Sequence, residues 1–380
     1  MAAARKIAID AYFDRRMMAA ALRLGRTALG LTHPNPAVGC IIVRGAGDKR
    51  VVVGRGATAP GGRPHAERIA LAEAGSAAHG ATAYVTLEPC AHNSKAGPCA
   101  AALIEAGVAR VVTAMADPDP RTSGAGHEIL EAAGIAVTTG VLVEEAARAH
   151  SGHIARIGKG RPHVTLKLAV SADGMIGRRE GERMLVSGKP AFEVVQAMRT
   201  AFDAIMVGIG TVLVDDPRLT VRLPGLARRT PVRVVLDGLA RMSPTAKLLQ
   251  TLDEAPVKVF VMADAPHERV ATLAAAGAET IAVGASAGRL DLGEVLSRLA
   301  EDGFTRVLAE GGAEVASSLV TADLVDEIII IRAPVVVGPD GVRALGGMAL
   351  SAIERSPRYL QSEIAQVGED VMRTYVRAAA

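Results

Sequence analysis

The feature that most constrains this chain is a histidine and two cysteines, His65, Cys90 and Cys99, each lying just before or at the start of a predicted helix, in His65-Ala66-Glu67, Pro89-Cys90 and Pro98-Cys99. A fold that uses them together must bring three helix starts to one place. One imidazole and two thiolates suit zinc, and three protein ligands leave a fourth tetrahedral position for water, as a catalytic site requires. Helix N-termini favour thiolate over thiol, so both cysteines can bind metal at neutral pH. Zinc lowers the pKa of bound water from about 16 to about 7, which provides a nucleophile for an amidine-like ring carbon. Glu67, two residues after the histidine, can face the same cavity without being a ligand. It can take the water proton and deliver it to ring nitrogen and leaving ammonia. His65, Cys90 and Cys99 are thus the expected metal ligands and Glu67 the expected catalytic residue. The competing reading is a closed structural site, with His92 as fourth ligand and Glu67 only a carboxylate favoured by the helix dipole. Cys40, inside the apolar run Val38 to Val43, reads as a small buried hydrophobe.

The periodicity around these groups is α/β. Phe13, Met17, Ala20, Ala21 and Leu24 recur at helical spacing from Tyr12 to Gly25, and Val38 to Val43 and Arg50 to Val53 read as a hairpin across Gly45-Ala46-Gly47-Asp48. Helices and strands then alternate to about Thr138, and a last helix runs from Glu144 to Ile157. Gly158-Lys159-Gly160-Arg161-Pro162 has the glycine, proline and charge of a domain boundary. The cut gives domains 1–158 and 159–380. The second restarts with a strand at Val164 to Val170, and runs at Ala204 to Val207, Val232 to Leu236, Val257 to Met262 and Ile328 to Ile331 alternate with helical stretches. Gly54-x-Gly56-x-x-Ala59 fits a dinucleotide fingerprint on paper, but Pro60-Gly61-Gly62 follows where a helix is needed, so it reads as a strand end.

A net charge of +3 over 380 residues, with no run of basic side chains, argues against nucleic acid as partner. The early residues are interrupted by Asp10, Asp14, Arg15 and Arg16, which precludes a signal-peptide core, and no apolar run is long enough for a bilayer, so a cytoplasmic protein is expected. Three cysteines in a reducing compartment read as ligands or nucleophiles instead of a disulfide framework.

His-x-Glu with Pro-Cys is the signature of zinc deaminases, but Cys99 follows Cys90 by nine positions, not three. With His33-Pro34-Asn35-Pro36-x-Val38-Gly39 and Leu87-Glu88-Pro89-Cys90-x-His92, residues 12 to 150 resemble the deaminase half of bifunctional riboflavin-biosynthesis enzymes. The resemblance implies a cytidine-deaminase-like three-layer domain in which Asn35 and Lys95 contact substrate. Asn93-Ser94-Lys95-Ala96-Gly97-Pro98 departs from the family's loop between the cysteines, and Asp117-Pro118-Asp119-Pro120 places a carboxylate where the family has an asparagine.

In the second half, the segments Met198 to Arg222 and Glu310-Gly311-Gly312 end strands in glycine, where a phosphate or a nicotinamide can approach the backbone. Arg199 and Arg222 have forked donors that suit a substrate phosphate. Residues 162 to 337 resemble the reductase half of the same family, which implies a dihydrofolate-reductase-like α/β domain using NADPH. By motif position the substrate contacts are Arg183, Arg199, Leu219, Arg222 and Glu310. The cofactor contacts are Ala169, Leu185, Thr211, Asp215, Gly312, Ala313, Glu314, Val315, Ala316, Ser317 and Ser318. Leu185 stands where an aromatic residue is usual, and Glu314 brings negative charge towards a dinucleotide phosphate. Ser171-Ala172-Asp173-Gly174 reads equally as a turn or as part of the site. The function implied is zinc-dependent deamination of 2,5-diamino-6-(5-phosphoribosylamino)pyrimidin-4-one, then NADPH-dependent reduction of its ribosyl chain to ribityl, in a homo-oligomer. Two other classes compete. One is a non-catalytic nucleotide-binding or RNA-binding regulator with a degenerate reductase domain, where the charge argues against RNA, and the other a deaminase of nucleosides or tRNA, disfavoured by the cysteine spacing.

Overall fold

The computed structural model of the chain describes residues 2–91, 97–178 and 184–378, the side chains of residues 2–9 excepted. The chain divides into two compact units, Met1–Gly160 and Arg161–Ala380.

The first unit runs α1 (Ala2–Arg26), β1 (Gly39–Arg44), β2 (Val51–Ala57), α2 (Ala66–Ala74), β3 (Thr82–Val85), α3 (Cys99–Glu105), β4 (Arg110–Thr113), α4 (Ala125–Ala132), β5 (Ala136–Thr138), α5 (Val143–Ala149) and α6 (Ser151–Lys159). Its sheet has the order β2-β1-β3-β4-β5, with β1 antiparallel to both neighbours and β3, β4 and β5 parallel. Alternation along the strands sends Cys40 and Ile42 to one face, against Ala66 and Ala70 of α2 and Leu103 of α3. Ile41 and Val43 face the other side, against Met18, Ala21 and Leu22 of α1 and Ala146 of α5. The result is three layers. Cys40 is fully buried, and burial pushes its thiol pKa up.

The glycine pair expected at a strand end lies instead inside β2. A Cβ on Gly54 would stand 2.1 Å from the Ala70 carbonyl oxygen, and one on Gly56 2.1 Å from that of Ala66. Glycine here lets the backbone of α2 rest directly on the strand. The helix expected from Glu144 to Ile157 is two helices, α5 and α6. The break is at His150, whose backbone leaves helical geometry (φ −98°, ψ 13°) and whose Nε2 lies 3.1 Å from Thr86 Oγ1.

The second unit runs β6 (His163–Val170), β7 (Met175–Arg178), α7 (Lys189–Arg199), β8 (Ala204–Gly208), α8 (Ile209–Asp215), β9 (Val232–Leu236), β10 (Val257–Met262), α9 (His267–Ala275), β11 (Glu279–Val283), β12 (Ala285–Ser286), β13 (Arg289–Leu290), α10 (Leu292–Glu301), β14 (Arg306–Glu310), α11 (Ala313–Thr321), β15 (Glu327–Arg332), β16 (Gly341–Arg343), α12 (Ser351–Glu354), β17 (Tyr359–Val367) and β18 (Asp370–Arg377). The main sheet has the order β11-β10-β9-β8-β14-β6-β15-β18-β17. It is parallel from β11 to β15, and the β17–β18 hairpin closes it antiparallel. Both faces of the parallel part are covered: in β8, Ala204 and Met206 enter one apolar cluster, Ile205 and Val207 the other. The closing hairpin was not expected from the sequence. Most of β17 is exposed, with apolar and polar residues interspersed, so it carries no buried run to read.

Gly56→Ala is expected to force α2 off β2 and lower the stability of the first unit by about 1–3 kcal/mol. Because His65 immediately precedes α2, bound zinc per chain should fall as well. Urea unfolding with metal analysis checks both, and an unchanged midpoint would contradict this packing.

Candidate active sites

Since β2 and β3 are both antiparallel to β1, and β4 is parallel to β3, the carboxyl ends of β2, β3 and β4 and the amino end of β1 share one sheet edge. Ligand sites of open α/β sheets lie at such edges. Asn35 precedes β1, His65 and Glu67 follow β2, Cys90 follows β3 and Asp117 follows β4, so the folding of one small sheet gathers the dispersed motifs.

His65 is the residue before α2 and Cys99 the first residue of α3. The ligand atoms of His65, Cys90 and Cys99 lie within 4.8 Å of one another. His65 Nδ1 is 3.6 Å from Cys90 Sγ and 3.4 Å from Cys99 Sγ. Zinc with metal–sulfur bonds of about 2.3 Å and a metal–nitrogen bond of about 2.0 Å places sulfur and nitrogen about 3.5 Å apart in a tetrahedron, so the residues fit the ion. The amide of Cys99 donates to Cys90 Sγ at 3.3 Å. A Cys99 thiol donating to the Cys90 sulfur holds Cys90 down, with help from His65, and pushes Cys99 itself up, so the second thiol gives up its proton only when metal binds. Glu67 sits in the first turn of α2, 3% exposed, and burial pushes its carboxyl pKa up against the pull of His65. A buried carboxyl with a raised pKa suits a proton carrier.

Asn35 is half-buried, and its Nδ2 donates to the Gly62 carbonyl at 3.0 Å. Lys95 and His92 lie outside the described residues. Asp119, the departure from the family pattern, is buried, and its carboxylate receives both the main-chain N–H and the Nε of Arg121, each at 3.0 Å. Arg121 holds it at about 2, so the extra negative charge is compensated locally.

In the second unit a cavity of about 1260 Å³ opens at the carboxyl ends of β6, β8 and β14, a volume above that of an ordinary drug-sized pocket. Ala169, Leu185, Thr211 and Asp215 line it, as do Arg199, Leu219, Arg222 and Glu310, and from α11 Gly312, Ala313, Glu314, Val315 and Ser318. Ala316 and Ser317 do not. Ala316 faces the core and is fully buried, because a helix turns only part of its surface to a cavity. Arg183 lies outside the described residues.

Arg199 is 7% exposed and does not present its fork to the cavity as a free phosphate ligand. Nε and Nη2 grip Glu310 at 2.7 and 3.0 Å, and Nη1 donates to the Thr220 carbonyl at 3.0 Å. Lys167 Nζ stands 3.6 Å from Glu310 Oε2 and also lines the cavity. Burial alone would raise the Glu310 pKa, but Arg199 and Lys167 hold it at about 2. The Arg222 guanidinium lies 5.0 Å from the centre of the Phe192 ring. Leu219 is buried with φ +55°, a conformation costing a leucine about 1–3 kcal/mol. Next to it, fully buried Arg233 donates to the Arg218 carbonyl at 3.2 Å and fixes that turn. Arg289 comes within 3.9 Å of Glu314 in the first turn of α11, both side chains being exposed. Asp173 accepts from Ser171 Oγ and from the amides of Val337 and Gly338, at 2.6, 3.1 and 2.8 Å. It belongs to a turn that ties two loops together and does not line the cavity. Sequence reasoning missed Lys167, Arg233 and Arg289. A charged residue inside an apolar strand run was the available signal for the first two.

A trio of metal ligands beside a buried carboxyl, followed by a cavity fed by glycine-ended strands, defines a zinc-dependent deaminase joined to a nicotinamide-dependent reductase. The family described as the cytidine and deoxycytidylate deaminase zinc-binding region matches residues 11–115, and the RibD C-terminal domain matches residues 162–372. The riboflavin biosynthesis protein RibD of Escherichia coli is 37% identical over 371 residues, 94% of this chain and 98% of its own. That of Haemophilus influenzae is 38% identical over 375 residues, 95% and 97%. Among solved structures, Acinetobacter baumannii RibD superposes with TM-score 0.84 at 34% identity, covering 97% of this chain and all of that one. The Thermotoga maritima diaminohydroxyphosphoribosylaminopyrimidine deaminase / 5-amino-6-(5-phosphoribosylamino)uracil reductase gives 0.83 at 31%, with the same coverage. The chain belongs to the RibD family: it is a bifunctional enzyme of riboflavin biosynthesis that deaminates a pyrimidine and reduces the product with NAD(P)H.

Glu310→Gln leaves buried Arg199 and half-buried Lys167 without a counter-charge and should cost about 3–5 kcal/mol. The pH dependence follows from the depressed carboxyl. Its contribution is complete above its ordinary value of 4.5 and is lost as the pH falls towards about 2. Urea unfolding across that window should show a steep acid loss in the wild type and a shallower one in Glu310→Gln. Parallel slopes would contradict the assignment.

Proposed function

We propose that the chain deaminates 2,5-diamino-6-(5-phosphoribosylamino)pyrimidin-4-one in residues 1–158. Residues 159–380 then reduce the ribosyl chain with NADPH, giving 5-amino-6-(5-phosphoribitylamino)uracil. The observation that carries this reading is the His65, Cys90 and Cys99 triangle with Glu67 buried in the adjoining helical turn.

Zinc held by these residues supplies Lewis-acid activation of water. Glu67 takes one water proton to the ring nitrogen and then carries the remaining hydroxyl proton to the departing amine, so ring C–NH2, ring nitrogen and water become ring C=O, ring N–H and ammonia. Asn35, from the loop before β1 on the same edge, is assigned to orienting the pyrimidine, and Lys95 to contacting the substrate. In the reductase cavity NADPH supplies the hydride, and the chain's work is orientation. Gly312 and the first turn of α11 take the cofactor phosphates, and Ala169, Leu185, Thr211 and Asp215 the rest of it. Arg183, Leu219 and Arg222 hold the substrate, with Glu310 kept ionised by Arg199 and Lys167 at the reacting end.

We place the enzyme in the cytoplasm as a homo-oligomer. No helix among the described residues is long and apolar enough to cross a membrane. The outer edge strand β17 exposes Leu360 and Ile364, and a second copy would cover such an edge. Light scattering is expected to give a mass above one chain, and a monomer at micromolar concentration would remove that part.

Zinc-loaded protein given the diaminopyrimidine and NADPH should release ammonia and consume nicotinamide absorbance. Glu67→Gln should lose at least about a hundredfold in ammonia release, the usual scale for a general acid–base. It should still oxidise NADPH when handed the deaminated intermediate. Loss of both signals, or of neither, would overturn the division of labour.

A further inference from the structure

Glu88 lies two residues before the ligand Cys90, and its side chain is completely buried. Its carboxylate bonds the loop that follows the neighbouring strand β4. Oε2 accepts from the amides of Asp117 and Gly124 at 3.1 and 3.0 Å, and Oε1 from those of Gly126 and His127 at 2.9 and 3.4 Å. A carboxylate has about four acceptor positions, so all are taken by one stretch of main chain. The fit is close: a Cβ on Gly126 would stand 2.0 Å from the Pro89 carbonyl oxygen. The loop is held from behind as well, since Asp117 Oδ1 receives the Asp119 amide at 2.9 Å and lies 2.8 Å from His153 Nε2. This loop emerges at the same sheet edge as the segments that carry His65 and Cys90.

We propose that Glu88 is a positioning residue for deamination: it fixes the wall formed by residues 117–127 at a set distance from Cys90 and so fits the site to its pyrimidine. The inference rests on reading the His65, Cys90 and Cys99 site as the deaminase centre. Glutamine at 88 keeps the shape but turns an NH2 group towards amide donors, so part of the loop loses its anchor.

The test uses the full-length, zinc-loaded chain. In Glu88→Gln, amide exchange of residues 117–127 should quicken about tenfold or more, and the KM for deamination should rise by a similar factor while kcat changes little. Zinc content and the reductase rate on the deaminated intermediate should match the wild type. Glu88→Asp, which keeps the charge, should recover part of the KM. Unchanged exchange or unchanged KM overturns the proposal. So does loss of zinc, which would make Glu88 a support of the metal site alone. If the wild type releases no ammonia, the deaminase reading fails, and the exchange measurement still decides whether Glu88 holds the loop. Should Glu88→Gln not fold, Gly126→Ala displaces the same loop from Pro89 and must give the same two changes, or the proposal is wrong.

Discussion

The deaminase half depends on the seating of one short helix on a strand stripped of side chains. Gly54 and Gly56 let the backbone of α2 lie directly on β2, and α2 carries His65 at its start and Glu67 in its first turn. A methyl group between them would push α2 away by about 1 Å, and a helix shifts as a rigid body, so the displacement would reach His65 and Glu67. The sulfurs have a comparable dependence on α3, whose first residue is Cys99 and whose first amide bonds Cys90. Chemistry at this edge is thus set by helix positions more than by side-chain rotamers.

The reductase half solves a different problem. Its reactive group is brought in by the cofactor, and the protein's part is a cavity with fixed charge. Lys167 and Glu310 are register partners on the parallel strands β6 and β14, and Arg199 reaches the same carboxylate from the end of α7. Such a buried triad is poor value as a source of stability, since desolvation opposes it. What it does is hold an ionised carboxylate beside an ammonium on the cavity wall.

Much of this could be read from the sequence where residue type and spacing carry chemistry on their own. His65, Cys90, Cys99 and Glu67 were identifiable because few arrangements of those groups do anything else, and most of the motif positions assigned to the reductase do line its cavity. What stayed hidden depends on pairing between distant strands. Lys167 looks like a polar interruption of an apolar run until β14 is laid beside β6. Arg199 and Arg222 look alike in sequence, yet one is spent on Glu310 and the other lies against Phe192. The placing of Arg121 against Asp119 and of Arg289 near Glu314 was equally illegible, because neither pair shows in residue type or spacing. Periodicity also ran two helices together across His150, because helical spacing continues through a break that only the Thr86 contact reveals.

Deamination at His65, Cys90 and Cys99 needs three protein ligands and an open position on the metal, not four protein ligands. X-ray absorption at the zinc edge of the purified enzyme decides between the two. Three protein ligands give two sulfurs at about 2.3 Å, the scattering pattern of a single imidazole and one further light-atom ligand. Two imidazoles, which would mean that His92 closes the site, would contradict the open position.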